Sequence, residues 1–206
     1  NLGTVLAVNY DDENGWPSGF GDGVIPAKGL DFQQKYLRLA EMAGEQAYSH
    51  ERLIAVYDLE GKRLEATSRQ NLPNTVLAAY FDVNPYYVDT LNPTATKAFI
   101  TEILERYRDE LSPDDAAAMR GFFTDEPRFG NAATYEAVPG RFPMVLPFSD
   151  TLLPLLSRER GEDFSRLLPC LWYESGPVGG EARYAYMNTV SRLFSENYSG
   201  RIGDWC

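Results

Sequence analysis

The sequence predicts an α/β protein built on a parallel sheet, and two observations support this fold class. Apolar stretches at residues 4–10, 75–81 and 121–123 alternate along the chain with segments of helical periodicity. Each stretch also runs directly into a loop with polar or acidic side chains, as strands do where they end in a functional site. With 206 residues, 44% of them hydrophobic, the chain can form one globular domain with a sizeable core.

The first half of the chain predicts a strand, a helix and a hairpin. The strand at residues 4–10 opens into an acidic loop rich in glycine and proline, residues 11–23. Asp31 is a suitable N-cap for a helix over residues 31–48, because apolar residues recur behind it at helical spacing. A Glu-Gly turn between two apolar stretches predicts a β-hairpin at about residues 52–67, inserted into the strand–helix alternation.

The second half continues the alternation. After the strand at residues 75–81, a helix is predicted to begin at Asn92 as N-cap, with Pro93 at the first helical position. Its apolar face extends to Leu111. Three further helices are predicted near the end of the chain, at residues 149–160, 164–172 and 181–198.

The stretch from Met119 to Pro127 is the most informative part of the sequence. Its apolar run, residues 121–123, is followed by Asp125 and Glu126, and Pro127 stops further sheet pairing. A carboxyl group at the end of a buried strand is partly desolvated and close to like charge. Both conditions raise its pKa toward the range of a general acid. A solvated acidic turn is the alternative, and the Asp-Glu-Pro tripeptide taken alone favours it.

The loop after the first strand carries Asp12, Glu13 and Trp16. An exposed tryptophan is a candidate platform for a sugar ring, and a tryptophan folded back onto the local core is an equal alternative. Together with Asp11 and Asp22, the two acidic residues could supply oxygen ligands to calcium. Their spacing does not match an EF-hand loop, so a solvated acidic loop is the preferred interpretation and no metal ligand is assigned.

Composition argues against several classes of function. A net charge of −11 and the absence of a Lys/Arg run argue against nucleic-acid binding. Cys170 and Cys206 lie far apart, without zinc-ligand spacing. Any Ser–His–Asp or Cys–His chemistry would depend on the single histidine, His50, which is expected to be a surface connector. The sequence contains no run of about 18 apolar residues, so it does not predict a membrane span.

Four motifs occur in order along the chain: residues 12–20 (DENGWPSGF), 87–93 (YVDTLNP), 122–127 (FFTDEP) and 202–206 (IGDWC). They resemble motifs of bacterial glycoside hydrolases around glycoside hydrolase family 106, whose known activity is α-L-rhamnosidase. The resemblance implies a (β/α)8 TIM-barrel catalytic domain that acts on the sugar side chains of polysaccharides. It also implies an inverting mechanism with two glutamates and often a bound calcium ion.

The resemblance assigns roles to individual residues. Glu126 is similar in position to the general acid that protonates the leaving-group oxygen. Asp125 would set the pKa of that acid or hold the sugar. Asp12, Glu13 and Trp16 would line the sugar site at the end of a neighbouring strand.

Asp89 and Asn92 match further polar contacts of the family, although the helix-cap role of Asn92 is the preferred explanation.

The second catalytic glutamate of the family would follow the motif at residues 202–206. Residues 1–206 are therefore expected to form part of a barrel, to lack the remainder and to be inactive alone, with Glu13 as the best substitute for the base. Two alternatives stay open: another TIM-barrel glycosidase, such as a β-galactosidase-like enzyme, and a non-catalytic carbohydrate-binding relative.

Overall fold

This computed structural model of the protein describes residues 8–11, 23–65, 73–123, 127 and 144–206. The chain divides into two compact units. Unit 1 comprises Asn1–Gln34, Asn84–Arg128 and Leu193–Cys206, and unit 2 comprises Lys35–Val83 and Phe129–Arg192.

Seven strands occur in the described part of the chain. They are β1 (Val8–Asp11), β2 (Gln33–Ala43), β3 (Leu53–Tyr57), β4 (Arg63–Leu64), β5 (Thr75–Val88), β6 (Met119–Phe123) and β7 (Leu146–Phe148). β1 and β6 form a two-stranded parallel sheet, and the other five form a sheet in the order β4-β3-β5-β2-β7.

The α-helices with described bounds are α1 (Gly44–Tyr48), α2 (Pro93–Phe99), α3 (Glu105–Glu110), α4 (Pro113–Ala118), α5 (Leu152–Arg160), α6 (Gly176–Phe194) and α7 (Arg201–Trp205). Two π-helical segments, Ile100–Leu104 and Ser195–Gly200, continue α2 and α6. Short 3-10 segments are Pro26–Lys28, Leu30–Phe32 and Phe164–Leu171. The helical segments predicted to start at residues 92, 149, 164 and 181 are therefore confirmed, with ends that shift by a few residues.

The predicted (β/α)8 barrel is wrong. A barrel of this kind needs parallel neighbours all the way round a closed sheet. Here the β2–β7, β3–β4 and β3–β5 pairs are antiparallel, and the five-stranded sheet is open, with β4 and β7 at its edges. The parallel pair, β1 with β6, belongs to a separate sheet. The strands of the described residues accordingly do not form part of a (β/α)8 barrel.

The predicted hairpin is confirmed, but its strands β3 and β4 belong to the five-stranded sheet and are not an insertion into a barrel. β3 and β4 pair antiparallel through a turn at residues 58–62, in which Gly61 adopts a φ of +85°. The backbone N–H of Gly61 donates to the Asp58 carbonyl at 3.0 Å, and the Asp58 carboxylate accepts from the Lys62 N–H at 2.7 Å. Because so short a connection joins only antiparallel neighbours, this turn alone contradicts strict strand–helix alternation.

The helix predicted over residues 31–48 is also wrong, because β2 occupies most of it. Lys35, Leu37 and Leu39 are buried at every second position, as in a strand with one covered face. Lys35 is fully buried opposite Phe148 of β7, and its ammonium lies 3.1 Å from the Asp150 carboxylate. A lysine at a buried position concealed the alternation, while the apolar residues around it also matched helical spacing.

Buried aromatic residues join the helices of unit 2 to the sheet. The indole N–H of Trp172 donates to the Met144 carbonyl at 2.8 Å, and the Tyr186 hydroxyl donates to the Pro147 carbonyl at 2.5 Å. Phe148 stacks on Phe81 of β5 with ring centroids 5.3 Å apart. The polar atoms of Trp172 and Tyr186 each have a partner, so these two rings are buried without an unsatisfied donor.

A polar clamp holds the hairpin against the 3-10 segment Phe164–Leu171. The carboxylate of Asp163 caps this segment by accepting from the Ser165 amide at 3.1 Å and from its hydroxyl at 2.7 Å. Arg63 of β4 donates to both Asp163 and Ser165. Tyr57 of β3 is buried and donates its hydroxyl to the Ser165 carbonyl at 2.5 Å.

The clamp makes the stability of the protein depend on pH. Burial on its own raises the pKa of Asp163. The hydrogen bonds from Ser165, with the charges of Arg63 and Arg166, outweigh burial and hold this pKa below its ordinary value of 3.8. Because the folded-state pKa is lowered, the stabilising contribution of Asp163 is complete above the unfolded-state pKa. It is lost as the pH falls through the folded-state value.

We therefore expect Asp163→Asn to be less stable than the wild type at neutral pH, with a difference that shrinks as the pH is lowered to about 3. Asparagine also caps helices, so this variant isolates the charge, whereas Asp163→Ala removes both charge and cap. The measurement is the free energy of unfolding in urea at a series of pH values. A difference that stays constant over this range would contradict the assigned role of the charge.

Unit 1 has its own apolar core, built around α2 and the π segment Ile100–Leu104. Its buried members include Ile25, Tyr87, Phe99, Ile103 and Tyr198. Of the apolar face predicted for the helix after Asn92, Phe99, Ile100, Ile103 and Leu104 are buried here, and Leu111 is half-buried.

Candidate functional site

The strands that precede the two acidic motifs are hydrogen-bonded neighbours in unit 1. β1 and β6 pair in parallel, with Tyr10 opposite Phe122 and Asp11 opposite Phe123. The register is irregular only at the start, between Val8 and Asn9. Because the last residues of the two strands lie side by side, both strands end at the same end of the two-stranded sheet.

Five of the seven predicted site residues lie outside the described residues. They are Asp12, Glu13, Trp16, Asp125 and Glu126. In sequence, Asp12 follows β1 directly, and Glu126 comes three residues after the end of β6. The roles predicted for these five side chains stay predictions.

Asp89 is buried at the turn that follows β5. Its side chain is 2% exposed, and one carboxylate oxygen accepts from the Leu91 N–H at 3.0 Å. The Asp89 N–H donates to the Phe32 carbonyl at 2.9 Å, and its carbonyl accepts from the Asn92 N–H at 3.1 Å. These bonds fix the path of the chain between β5 and α2.

The cap predicted at Asn92 is confirmed. Its side-chain oxygen accepts from the Thr94 N–H at 2.9 Å at the start of α2, and its side-chain amide donates to the Asp31 carbonyl at 2.8 Å. From the π segment Ser195–Gly200, Asn197 donates to the Leu91 carbonyl at 2.9 Å. The motif at residues 87–93 therefore has a structural function, since three separate parts of unit 1 hold one turn.

Replacing Asn92 by alanine is expected to lower the free energy of unfolding by about 1–2 kcal/mol, because α2 loses its cap and the turn loses a hydrogen bond. Asn92→Asp keeps a capping oxygen but cannot donate to the Asp31 carbonyl, so it should cost less than alanine. Unfolding in guanidinium chloride measures both effects. Equal stability of wild type and Asn92→Ala would contradict the cap.

A polar row on the sheet of unit 2 was missed by sequence reasoning. Arg38 of β2 forms an ion pair with Asp82 of β5, beside Tyr80. The His50 ring lies 4.4 Å from the Tyr80 ring, and its Nδ1 accepts from the Arg52 N–H at 3.2 Å. Burial, and then the Asp82 charge, raise the pKa of Tyr80, which Arg38 lowers in part. Its hydroxyl stays protonated at neutral pH, and this row stabilises the β2–β5 contact.

The one signal for this row in the sequence is the alternation of buried and partly exposed residues in β2. No residue pattern near β2 shows that β5 is its neighbour in the sheet. His50, predicted as a surface connector, lies half-buried between α1 and β3.

Two properties of the described residues concern metals and membranes. No group of three or more His, Cys, Asp or Glu residues among them is placed to hold a metal ion. The acidic residues considered for calcium, Asp12, Glu13 and Asp22, lie outside that part of the chain, and Asp11 is described in its backbone alone. Within the same part of the chain, no helix is both long and apolar enough to cross a membrane.

Comparison of the chain with models of known protein families, with curated proteins and with solved structures gives no match in any of the three.

Proposed function

We propose that the protein is a glycoside hydrolase in which Glu126 is the general acid. The observation that carries this proposal is the parallel pairing of β1 and β6, with Asp11 opposite Phe123. Neighbouring strands lie about 4.8 Å apart, so the acidic segments that follow them start from adjacent points. The motif at residues 12–20 begins directly after the end of β1, and the motif at residues 122–127 begins one residue before the end of β6; both resemble motifs of α-L-rhamnosidases.

The proposed reaction needs two carboxyl groups with different protonation states. Protonated Glu126 gives its proton to the glycosidic oxygen as the bond from that oxygen to the anomeric carbon breaks. A water molecule attacks the anomeric carbon from the opposite face and loses a proton to a carboxylate base. In an inverting enzyme the two carboxyl groups are about 6.5–9.5 Å apart, which leaves room for this water.

Within this chain, Glu13 is the best candidate for the base, because it lies two residues beyond the end of β1. Asp125 adjoins the acid in sequence, and its negative charge would raise the pKa of Glu126 and keep it protonated. Asp89 and Asn92 take no part in the proposed proton transfers, since their hydrogen bonds hold the turn before α2.

Hydrolysis of nitrophenyl glycosides by the full-length natural protein tests the proposal. We expect turnover of the α-L-rhamnoside, with the inverted anomer as the first product seen by proton NMR. Turnover of the β-galactoside alone would replace the rhamnosidase assignment by another glycosidase. Sugar binding without any turnover would contradict the proposal and favour a carbohydrate-binding protein.

A further inference from the structure

Unit 1 contains a groove of about 750 Å³, outside the segments that follow β1 and β6. Among the described residues, the helical segment from residue 101 to residue 110 lines one side of the groove, and Val24 also contributes to its lining. Its volume is within the range of about 300–1,000 Å³ typical of sites for small ligands. The described residues that line it are Val24, Thr101, Glu102, Ile103, Arg106, Asp109 and Glu110.

The charges around the groove are matched in pairs. Glu102 lies 2.7 Å from the Lys28 ammonium, and the Arg106 guanidinium lies 2.8 Å from the Glu110 carboxylate. Asp109 accepts from Arg108 at 3.0 Å. The carboxylates of Glu102, Asp109 and Glu110 would repel an anionic ligand. Each of them is already paired with a lysine or arginine, so a cationic ligand would have to displace that side chain. The groove therefore favours a neutral ligand with many hydrogen-bonding groups.

The groove also offers apolar surface beside these polar groups. Val24, 46% exposed, supplies it, since Ile103 is only 8% exposed and belongs to the core of unit 1, and the Thr101 hydroxyl adds a neutral donor and acceptor. Thr101, Glu102 and Ile103 come from the π segment Ile100–Leu104, and π-helical segments are frequent at functional sites. Apolar contacts bordered by donors and acceptors match a sugar ring, which has apolar C–H faces and polar edges.

We propose that this groove binds a neutral oligosaccharide. This choice of ligand rests on the proposed function as a glycoside hydrolase. Arg106 donates hydrogen bonds to ring hydroxyls, Glu102 and Asp109 accept them, and Val24 contacts a ring face. The groove would then hold a carbohydrate chain, while the chemistry belongs to Glu126.

Calorimetric titration with cellotetraose, mannotetraose and rhamnotetraose tests this site, using the Glu126→Gln protein so that no sugar is cleaved. At least one tetrasaccharide is expected to bind at millimolar concentration. Arg106→Ala, added to that protein, is expected to weaken binding by about tenfold or more, because hydrogen bonds from a charged group are lost. Thr101→Ala should weaken it less. The matched control is Arg158→Ala, an exposed arginine of unit 2, which should leave binding unchanged.

Three results would overturn the groove site: no binding of any tetrasaccharide, equal affinity of Arg106→Ala and its parent, or binding of spermine or tetragalacturonate instead of the neutral sugars. Unfolding curves of each variant show whether a loss of binding reflects a loss of fold. Hydrolysis of nitrophenyl glycosides is measured separately with the wild type. Failure of hydrolysis with intact groove binding would contradict only the proposed function, and the reverse result would contradict only the groove.

Discussion

Replacing Glu126 by glutamine is expected to lower kcat/KM by about 10²–10⁴-fold for glycosides with poor leaving groups. Glutamine has nearly the same shape but cannot give a proton to the glycosidic oxygen. The loss should be far smaller for dinitrophenyl glycosides, because a dinitrophenolate departs without being protonated. Steady-state kinetics on a series of aryl glycosides with leaving groups of increasing pKa measures this dependence.

The matched control for this variant is Glu45→Gln, which makes the same chemical change at an exposed position of α1 in unit 2. It should leave kcat/KM unchanged for every substrate. An equal loss by Glu126→Gln on activated and unactivated glycosides would contradict the role of general acid, because it would indicate general damage to the site. Wild-type rates in Glu126→Gln would exclude the residue from the reaction altogether.

Replacing Trp172 by alanine is expected to lower the free energy of unfolding by about 3–5 kcal/mol, the largest effect on stability that we predict. The side chain is 2% exposed and donates to the Met144 carbonyl next to β7. Removing it leaves a cavity and a buried carbonyl without that donor. The measurement is equilibrium unfolding in guanidinium chloride, followed by far-ultraviolet circular dichroism.

Two further variants separate the contributions of Trp172. Trp172→Phe keeps most of the apolar contact but loses the indole N–H, so it should cost about 1–3 kcal/mol, part of it from the reduced ring size. Tyr184→Ala removes an aromatic side chain of α6 that is 74% exposed, and it should change stability by less than about 0.5 kcal/mol. A cost below about 1 kcal/mol for Trp172→Ala would show that this side chain does not anchor the core of unit 2.

The elements that sequence predicted well depend on contacts within a few residues. The cap at Asn92 followed by Pro93 fixes the start of α2, and its hydrogen bond reaches only to Thr94. The β3–β4 hairpin is set by a turn closed between Asp58 and Lys62. In both cases the side chains that determine the local conformation adjoin the element itself, so the pattern can be recognised without knowledge of the fold.

The fold class was wrong because strand direction depends on contacts that are distant in sequence. β2 lies between β5 and β7, and neither neighbour is adjacent to it along the chain. The burial of Lys35 likewise depends on Phe148 and Asp150, more than a hundred residues away. Apolar stretches indicate strands, but they do not indicate whether a neighbour is parallel or antiparallel.

The candidate site was predictable in part for the same reasons. The structural function of residues 87–93 could be predicted at Asn92, where the cap is local, but not at Asp89, whose contact with Phe32 requires the tertiary fold. The family resemblance implied that the two acidic motifs follow neighbouring strands, and β1 and β6 are indeed paired. The polar row of Arg38 and Asp82 could not be predicted, because it needs the order of strands in the sheet.

A double-variant cycle between Glu13 and Glu126 tests most directly whether the acidic segments after β1 and β6 act as one site. The measurement is kcat/KM on an aryl glycoside with a poor leaving group, for which the loss of either glutamate is expected to be large, in the wild type, both single glutamine variants and the double variant. Residues that act together in one reaction show strongly non-additive effects. We predict that the double variant loses far less activity than the product of the two single losses. Losses that multiply would show that the two glutamates act independently and would contradict a shared site at the ends of these strands.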